Sequence, residues 1–265
     1  MNRWRLIDTG TLSAAENIAW DQALLWAQIE NGSASPILRF LQFSPPCVLI
    51  GRHQSPTQEA RIDFVSSRGW HINRRLTGGG AIFFDPSQIG WEVFATKRER
   101  WARCKPEKLY RRISEGAILG LRKLGINANY RPRNDIEVNG RKISGTGGTS
   151  DGDAFMFQGT LLVQDCAEDM LKALRVPAEK LGRHGLESVK ERVVFVEELI
   201  SPMPSADELK NAILHGFSEA FGVEIVPSQP NEMEYRLFRK ALKLIDSEKW
   251  VYEVDKPESR KGTLI

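Results

Sequence analysis

Asp135-Ile136-Glu137-Val138-Asn139-Gly140-Arg141-Lys142-Ile143-Ser144 reads as two short strands joined by a two-residue turn. Both central residues of such a turn adopt positive φ, which asparagine and glycine tolerate best. The stretch predicts an antiparallel hairpin and puts Lys142 two residues past the turn, on a strand of defined geometry. Upstream, Pro106 opens a long helix with Tyr110, Ile113, Ala117, Leu121 and Leu124 on one face and Gly125 at its end. Arg111 and Arg112 belong to its solvated side. Downstream, Phe155 to Val163 and Arg192 to Val196 have strand composition, and Ser205-Ala206-Asp207-Glu208 caps an amphipathic helix running to Phe221.

Toward the N-terminus, Ser13-Ala14-Ala15-Glu16 is a capping box, after which Ala14, Ile18, Leu25 and Ile29 recur at helical spacing until Asn31-Gly32. Ile37 to Phe43 and Cys47 to Ile50 read as two strands around Pro45-Pro46. A strand through His71 to Arg75 enters Gly78-Gly79-Gly80, Ala81 to Phe84 continues the sheet, and Ile89 to Ala95 adds another strand. Many strands, tight turns and few long helices predict an α/β (α+β) domain with a mixed, largely antiparallel sheet flanked by helices. A doubly wound parallel sheet is not expected.

The 265 residues carry 37 basic and 34 acidic side chains, a net charge of +3, too balanced for a dedicated nucleic-acid binder. Any basic function must be local. No apolar run approaches the length of a membrane span and the first residues do not form a secretory signal, so a cytoplasmic protein without membrane partners is expected. Cys47, Cys104 and Cys166 lack CxxC spacing and His53, His71, His184 and His215 are scattered, so free thiols and no protein-built metal site are expected.

Taken singly, the chemical signals are ordinary. Three successive glycines most often mark a loop, although missing side chains also let a phosphate or acyl chain lie against backbone amides with Arg75 alongside. No GxxxxGK followed by Ser or Thr occurs, so this is not a Walker loop. Lys142 alone fits a solvated hairpin lysine, and Asn134-Asp135 alone fits a turn leading into a strand.

In combination and order, these segments resemble the lipoate protein ligase family, within the larger group of biotin and lipoyl ligases and octanoyltransferases. Asn17 to Leu25 is similar to the family's first helix, Gly51-Arg52-His53-Gln54 to its GRxQ turn, and Arg74 to Phe83 to its glycine loop. Asn134-Asp135-Ile136 through Gly140-Arg141-Lys142-Ile143-Ser144-Gly145-Thr146 resembles its NDI and GRKxSG hairpin, Gln158-Gly159-Thr160-Leu161-Leu162 its HHGTLL strand, and Leu186 to Val193 its SVxxRV segment. The resemblance implies the biotin/lipoyl ligase catalytic-domain fold. It also implies attack of lipoic acid on the α-phosphate of ATP, then transfer of the lipoyl group to a lysine of an acceptor protein, a lipoyl domain or a specialised lipoate-binding protein. Lys142 is the catalytic residue it implies, reaching the acyl carbonyl and phosphate, with Arg75 helping to hold the adenylate. Gly79, Gly80, Ala81, Ile82 and Phe83 would lie along nucleotide and acyl chain, with Asn134, Ser144, Gly145, Thr146 and Gly159 completing the binding residues. Asp135 would face the nucleotide, near the Mg2+ that travels with ATP.

The chain departs from the family's histidines at Phe84, Phe157 and Gln158. An octanoyl or lipoyl transferase on the same fold is the nearest alternative, and needs a reactive cysteine. One branch carries it where this chain has Ala128 to Pro132, another near Leu174 to Pro177, and neither stretch contains cysteine. A non-catalytic lipoyl-binding module would have no use for both Lys142 and Arg75. A catalytic domain over residues 1–250 is expected, with 251–265 a polar tail, no accessory domain, and self-sufficiency favoured over a separate accessory subunit.

Overall fold

The computed structural model describes residues 3–30, 35–175 and 185–255. In chain order the strands are β1 (Arg3–Leu12), β2 (Ile37–Phe43), β3 (Cys47–Ile50), β4 (His71–Arg74), β5 (Ile82–Phe84), β6 (Ile89–Thr96), β7 (Asn129–Arg131), β8 (Asp135–Val138), β9 (Arg141–Asp151), β10 (Ala154–Leu161) and β11 (Glu224–Pro227). The helices are α1 (Ala14–Glu30), α2 (Pro56–Glu59), α3 (Ile62–Ser67), α4 (Pro106–Lys123), α5 (Ala167–Ala173), α6 (Gly185–Lys190), α7 (Ala206–Phe221), α8 (Glu232–Ile245) and α9 (Glu248–Val251). A large sheet runs β11-β1-β2-β6-β10-β9-β8-β7 and a small one β4-β3-β5. In the large sheet β1 pairs in parallel with β2 and β11, and the other neighbours are antiparallel, as the tight turns predict.

Period-two alternation sends two sets of side chains to opposite faces of the large sheet. Phe40, Trp91, Val93, Phe155 and Phe157 pack under α4 and α7, with Ile113, Leu121, Ile213 and Phe217 in the same core. Ile7, Ile37, Leu41, Phe94 and Met156 pack under α1 and α8. The small sheet builds a third core from Val48, Ile50 and Phe83, closed by Leu162, Ala167 and Phe195. Local signals set the helix ends. Ser13 and Glu16 exchange the capping-box bonds at 3.3 and 2.9 Å, and Ser205 with Glu208 does the same. Asn139 and Gly140 take φ of 51° and 79°, as the hairpin requires.

Four expectations change. Strands β2 and β3 flank Pro45-Pro46 but lie in different sheets, so they are not neighbours. Ile29, in the last turn of the first helix, is exposed and does not join the core. Arg192 to Val196 is not a strand: Lys142 N–H donates to Arg192 O and Val194 N–H to Lys142 O, after which Val196 N–H donates to Leu162 O. The segment crosses the ends of β9 and β10 instead of running along either. The boundary after Trp250 also moves, since Val251 is buried, Arg52 pairs with Glu253 at 2.5 Å and Ser55 bonds Asp255. The remainder of the expected tail, 256–265, lies outside the described residues, as do Asn31-Gly32 and His184. Among the described residues no helix is long and apolar enough to cross a membrane.

Between α1 and the large sheet sits a buried polar group that the sequence reading missed. Arg39 Nη1 donates to Asp21 Oδ1 at 2.6 Å and to Glu92 Oε2 at 2.9 Å, and its Nη2 donates to Asn17 Oδ1 at 2.7 Å. All four residues are almost wholly buried. Asn17 and Asp21, one helical turn apart on the buried face of α1, were the available signal.

Candidate active site

Lys142 owes its direction to a bulge. Asp135 faces Gly145 and Ile136 faces Ser144, but Glu137 faces Lys142, so one extra residue, Ile143, is inserted into β9. Side chains alternate with period two, and without the insertion Lys142 and Gly145 would point to opposite faces of the sheet. With it they share a face. Lys142 Nζ crosses Gly145 and pairs with Asp135 Oδ1 at 2.8 Å, while Asp135 Oδ2 accepts from Arg131 Nη2 at 2.8 Å. Burial alone would raise the Asp135 carboxyl, but Lys142 and Arg131 together hold it below its ordinary value. Both carboxylate oxygens are thus committed to side chains and Lys142 is held extended.

A Cβ built on Gly145 would stand 2.6 Å from Lys142 Nζ. With Lys142 in the role that the family resemblance implies, Gly145→Ala is expected to displace the ammonium and lower acyl transfer by about 10² with the fold retained, since ångström-scale misplacement of a positioned group costs that much. Transfer rate and thermal midpoint measured on one preparation check this; an alanine variant with wild-type activity would show that the lysine's path over Gly145 does not matter.

The glycine loop crosses from β4 to β5 and is fixed by its own arginine. Arg75 is 4% exposed, and its guanidinium donates to the carbonyls of Leu49 at 2.8 Å and of Gly78 and Gly80 at 2.9 Å, and to Thr77 Oγ1 at 3.2 Å. Desolvation lowers its pKa to about 10, which leaves it charged at neutral pH. Four of its five N–H donors are therefore spent on shaping the loop. Gly79 has φ of +93°, and its carbonyl fills the space where a Cβ on Gly51 would stand, which is why the preceding turn also carries glycine. Arg74, missed as a structural residue, bonds the carbonyls of Gly51, Arg52, Gln54, Trp250 and Val251 at 2.7–3.1 Å, tying the loop's base to α9.

A cavity of about 280 Å³ lies between the glycine loop and the bulged strand. Its polar wall includes Lys142, Asn134, Thr77, Thr146, Thr160 and Gln158; Ile82, Phe83, Leu162, Met170, Leu174 and Val193 make the apolar wall. Among the described residues nothing stands within 4 Å of a Cβ position on Gly78 or Gly80, which leaves the loop backbone open to a ligand. Asn134 holds Thr146 in place, its carbonyl accepting from the Thr146 N–H at 2.8 Å and hydroxyl at 2.9 Å.

Of the expected site residues, Lys142, Arg75, Gly79, Gly80, Ala81, Ile82, Phe83, Asn134, Gly145 and Thr146 line this cavity. Asp135 acts on it through Lys142. Ser144 does not reach it: alternation turns its hydroxyl into the protein, where the oxygen is buried without a partner. Gly159 does not line it either, because the Trp91 ring occupies the space of a Cβ there. Gln88 and Met170 were missed because they come from segments that carry no chemical motif, and Leu162 and Val193, at the ends of two matched segments, because an aliphatic side chain carries no chemical signal of its own. The three departures separate by direction. Phe84 packs on Phe43 with ring centroids 4.6 Å apart, and Phe157 sits edge-on to Tyr110 at 4.7 Å. Gln158 faces the cavity with Oε1 buried and unpartnered, so one departure bears on a ligand directly.

None of the three cysteines lines the cavity. Cys47 is fully buried in the core. Cys104 is half-buried beyond the other end of β9. Cys166 lies behind the wall, its Sγ accepting from Gln88 Nε2 at 3.3 Å, and burial followed by the nearby Asp85 carboxylate pushes its thiol well above the ordinary range. A thioester-forming cysteine needs the opposite shift. Among the described residues no three of His, Cys, Asp and Glu stand together as metal ligands.

The model for the lipoyl protein ligase A/B catalytic domain matches residues 13–218. An octanoyltransferase LipM from Kyrpidia tusciae is 28% identical over 274 residues, covering 95% of this chain and 99% of that protein. A lipoate-protein ligase LplJ from Bacillus subtilis is 28% identical over 207 residues, 77% of this chain and 59% of that protein. Among solved structures, a bi-partite lipoate protein ligase from Thermoplasma acidophilum superposes with a TM-score of 0.84 at 26% identity, over 96% of both chains. Lipoate-protein ligase A bound with ATP gives 0.82 at 25% identity, over 96% of this chain and 99% of that one.

Proposed function

Since the chain belongs to the lipoyl protein ligase A/B catalytic-domain family, whose members include lipoate ligases and octanoyltransferases, we propose that it is an ATP-dependent lipoate protein ligase. The observation that carries this reading is a cavity furnished with a lysine, backbone amides and an apolar wall but no thiol. An adenylation route asks for that set. The lipoate carboxylate oxygen bonds to the α-phosphorus of ATP as pyrophosphate leaves. The acceptor lysine nitrogen then bonds to the acyl carbon, the acyl–phosphate bond breaks, AMP leaves, and the amine proton passes to solvent. No enzyme nucleophile is consumed in either step. Lys142 supplies positive charge where the acyl oxygen and phosphate meet, a preorganised donor in a partly dry site. Arg75 holds the loop whose amides face the ligand, and Ile82, Phe83, Leu162 and Val193 take the acyl chain.

Mg2+ would travel with the ATP phosphates and neutralise their charge. Both Asp135 oxygens already pair with Lys142 and Arg131, and among the described residues no Asp or Glu lines the cavity, so the phosphates themselves and water are the fitting ligands.

A second reading, an ATP-independent octanoyl or lipoyl transferase, is favoured by relatives such as the Kyrpidia tusciae protein. It needs a thiolate within reach of Lys142. The two readings part on one measurement: the chain with ATP, Mg2+, lipoate and an unlipoylated acceptor should yield lipoylated acceptor and pyrophosphate without another protein. Acyl transfer from an octanoylated carrier in the absence of ATP would favour the transferase. Adenylate that accumulates until a small second protein is added would favour a divided ligase. Replacing all three cysteines, Cys166→Ala above all, is expected to leave ligation within about twofold, because an adenylate route uses no thiol. Complete loss in a folded Cys166→Ala protein would overturn the ligase reading.

A further inference from the structure

We propose that the exposed basic segment from Lys97 to Arg112, beside the cavity, is the surface on which the acceptor protein docks with an acidic face. This rests on the reading that the chain acylates a lysine of another protein.

Lys97, Arg98, Arg100, Arg103, Lys105, Lys108, Arg111 and Arg112 stand against only Glu99 and Glu107, a net charge of +6 in sixteen residues of a chain whose total is +3. The rest of the molecule is therefore net −3. All eight cations are exposed. Some surface cations elsewhere, such as Arg3, Lys123, Lys172 and Arg236, are matched to carboxylates, and those that are not, such as Arg68 and Lys249, are spread singly or in small groups. Among the described residues Arg100, Lys105, Lys108 and Arg111 have no carboxylate at salt-bridge distance. Like charges gathered at one place destabilise a fold slightly, and an anionic partner would relieve the repulsion.

Location selects the partner. The segment folds over the far half of β9, and together they form a cleft of about 250 Å³ lined by Lys97, Pro106, Leu109, Tyr110, Gly148 and Thr149. The near half of the same strand, through Gly147, lines the cavity that holds Lys142. The two clefts open on opposite faces of β9, Gly147 being turned to Thr77 and Gly148 to Tyr110, and only the width of that strand separates them, its β8-side edge beyond Thr146 pairing with no strand among the described residues. A partner seated on the basic segment reaches round that free edge to its junction with the cavity rim, where an acceptor lysine must enter. A nucleic acid or membrane would use the cations but has no need of this junction.

The test measures binding of an unlipoylated, net-negative acceptor domain to the intact chain and to a variant carrying Arg100→Glu, Lys105→Glu, Lys108→Glu and Arg111→Glu. The wild-type affinity should fall with added salt; the variant should bind at least about tenfold more weakly, with little salt dependence. Glutamine at the same four positions should give an intermediate loss. Lipoate-dependent ATP–pyrophosphate exchange, which involves no acceptor, should be unchanged in both variants. Equal acceptor affinity in wild type and variants would overturn the proposal, as would displacement of the acceptor by single-stranded RNA or anionic phospholipid vesicles at lower concentration than free acceptor requires. Absence of exchange in every protein would instead count against the ligase reading and leave the binding comparison standing.

Discussion

Lys142→Ala is expected to lower both lipoate-dependent pyrophosphate exchange and acceptor lipoylation by about 10² to 10³, the cost of removing one preorganised donor from a developing negative charge. The fold should survive. About a third of the side chain is exposed, and it contributes charge rather than packing. Its removal does not strand the Asp135 carboxylate, because Arg131 still bonds Oδ2 at 2.8 Å. The strand itself is held through the backbone of residue 142, whose N–H and carbonyl pair with Arg192 and Val194 whatever the side chain. A variant with an unchanged thermal midpoint and almost no exchange is the expected outcome. Exchange at near the wild-type rate would remove Lys142 from the chemistry and leave Arg75, most of whose donors are spent on the loop, as the remaining cation in the described cavity wall.

The largest effect on stability is expected from Arg39→Met. In the native protein the guanidinium sits between Asp21 and Glu92 in a core that excludes water. Removing one partner of a buried ion pair leaves an uncompensated charge and costs about 3–5 kcal/mol, against roughly nothing for a surface pair. For a chain of this size that lowers the melting temperature by on the order of 10 °C. An Arg39→Met variant as stable as wild type at neutral pH would show that the cluster is not held by its charges. Burial raises the Asp21 carboxyl well above its ordinary range, and Glu92 beside it adds to the shift against the pull of Arg39. Burial also raises Glu92, though Arg39 and the Asp21 hydrogen bond oppose this. Of the two carboxyls, Asp21 is the one shifted further toward holding its proton.

The unfolded chain gives up that proton near pH 4. Folded protein holds it higher, so the contribution to stability is complete below about pH 4 and declines as pH rises toward the folded value. Asp21→Asn keeps the hydrogen bonds without the proton. It should match wild type at acid pH, exceed it at neutral pH, and lose the slope between them. Denaturant unfolding at a series of pH values measures this, and an unchanged slope would assign it to another group.

What the residues determined alone is local. The Asn139-Gly140 hairpin, the capping boxes at Ser13 and Ser205, proline at the start of α4 and the glycine loop between two strands each depend on φ preferences or hydrogen bonds within a few residues. The structure has them where the sequence puts them. Antiparallel sheet followed from those turns, and the cavity's principal residues followed from the order of the motifs.

The direction of side chains was decided only by the tertiary structure. A bulge at Ile143 inverts the alternation along β9, so Lys142 turns to the cavity and Ser144 away from it. The same parity sends Gln158 inward and Phe157 to the opposite core, a distinction invisible while both were read as missing histidines. Leu162, Met170 and Val193 close the apolar wall with side chains that carry no chemical signal of their own, and Arg39 meets Asp21 and Glu92 from three separate elements. One unpaired residue reverses every side chain beyond it, and the position of that residue depends on how a strand pairs with distant chain.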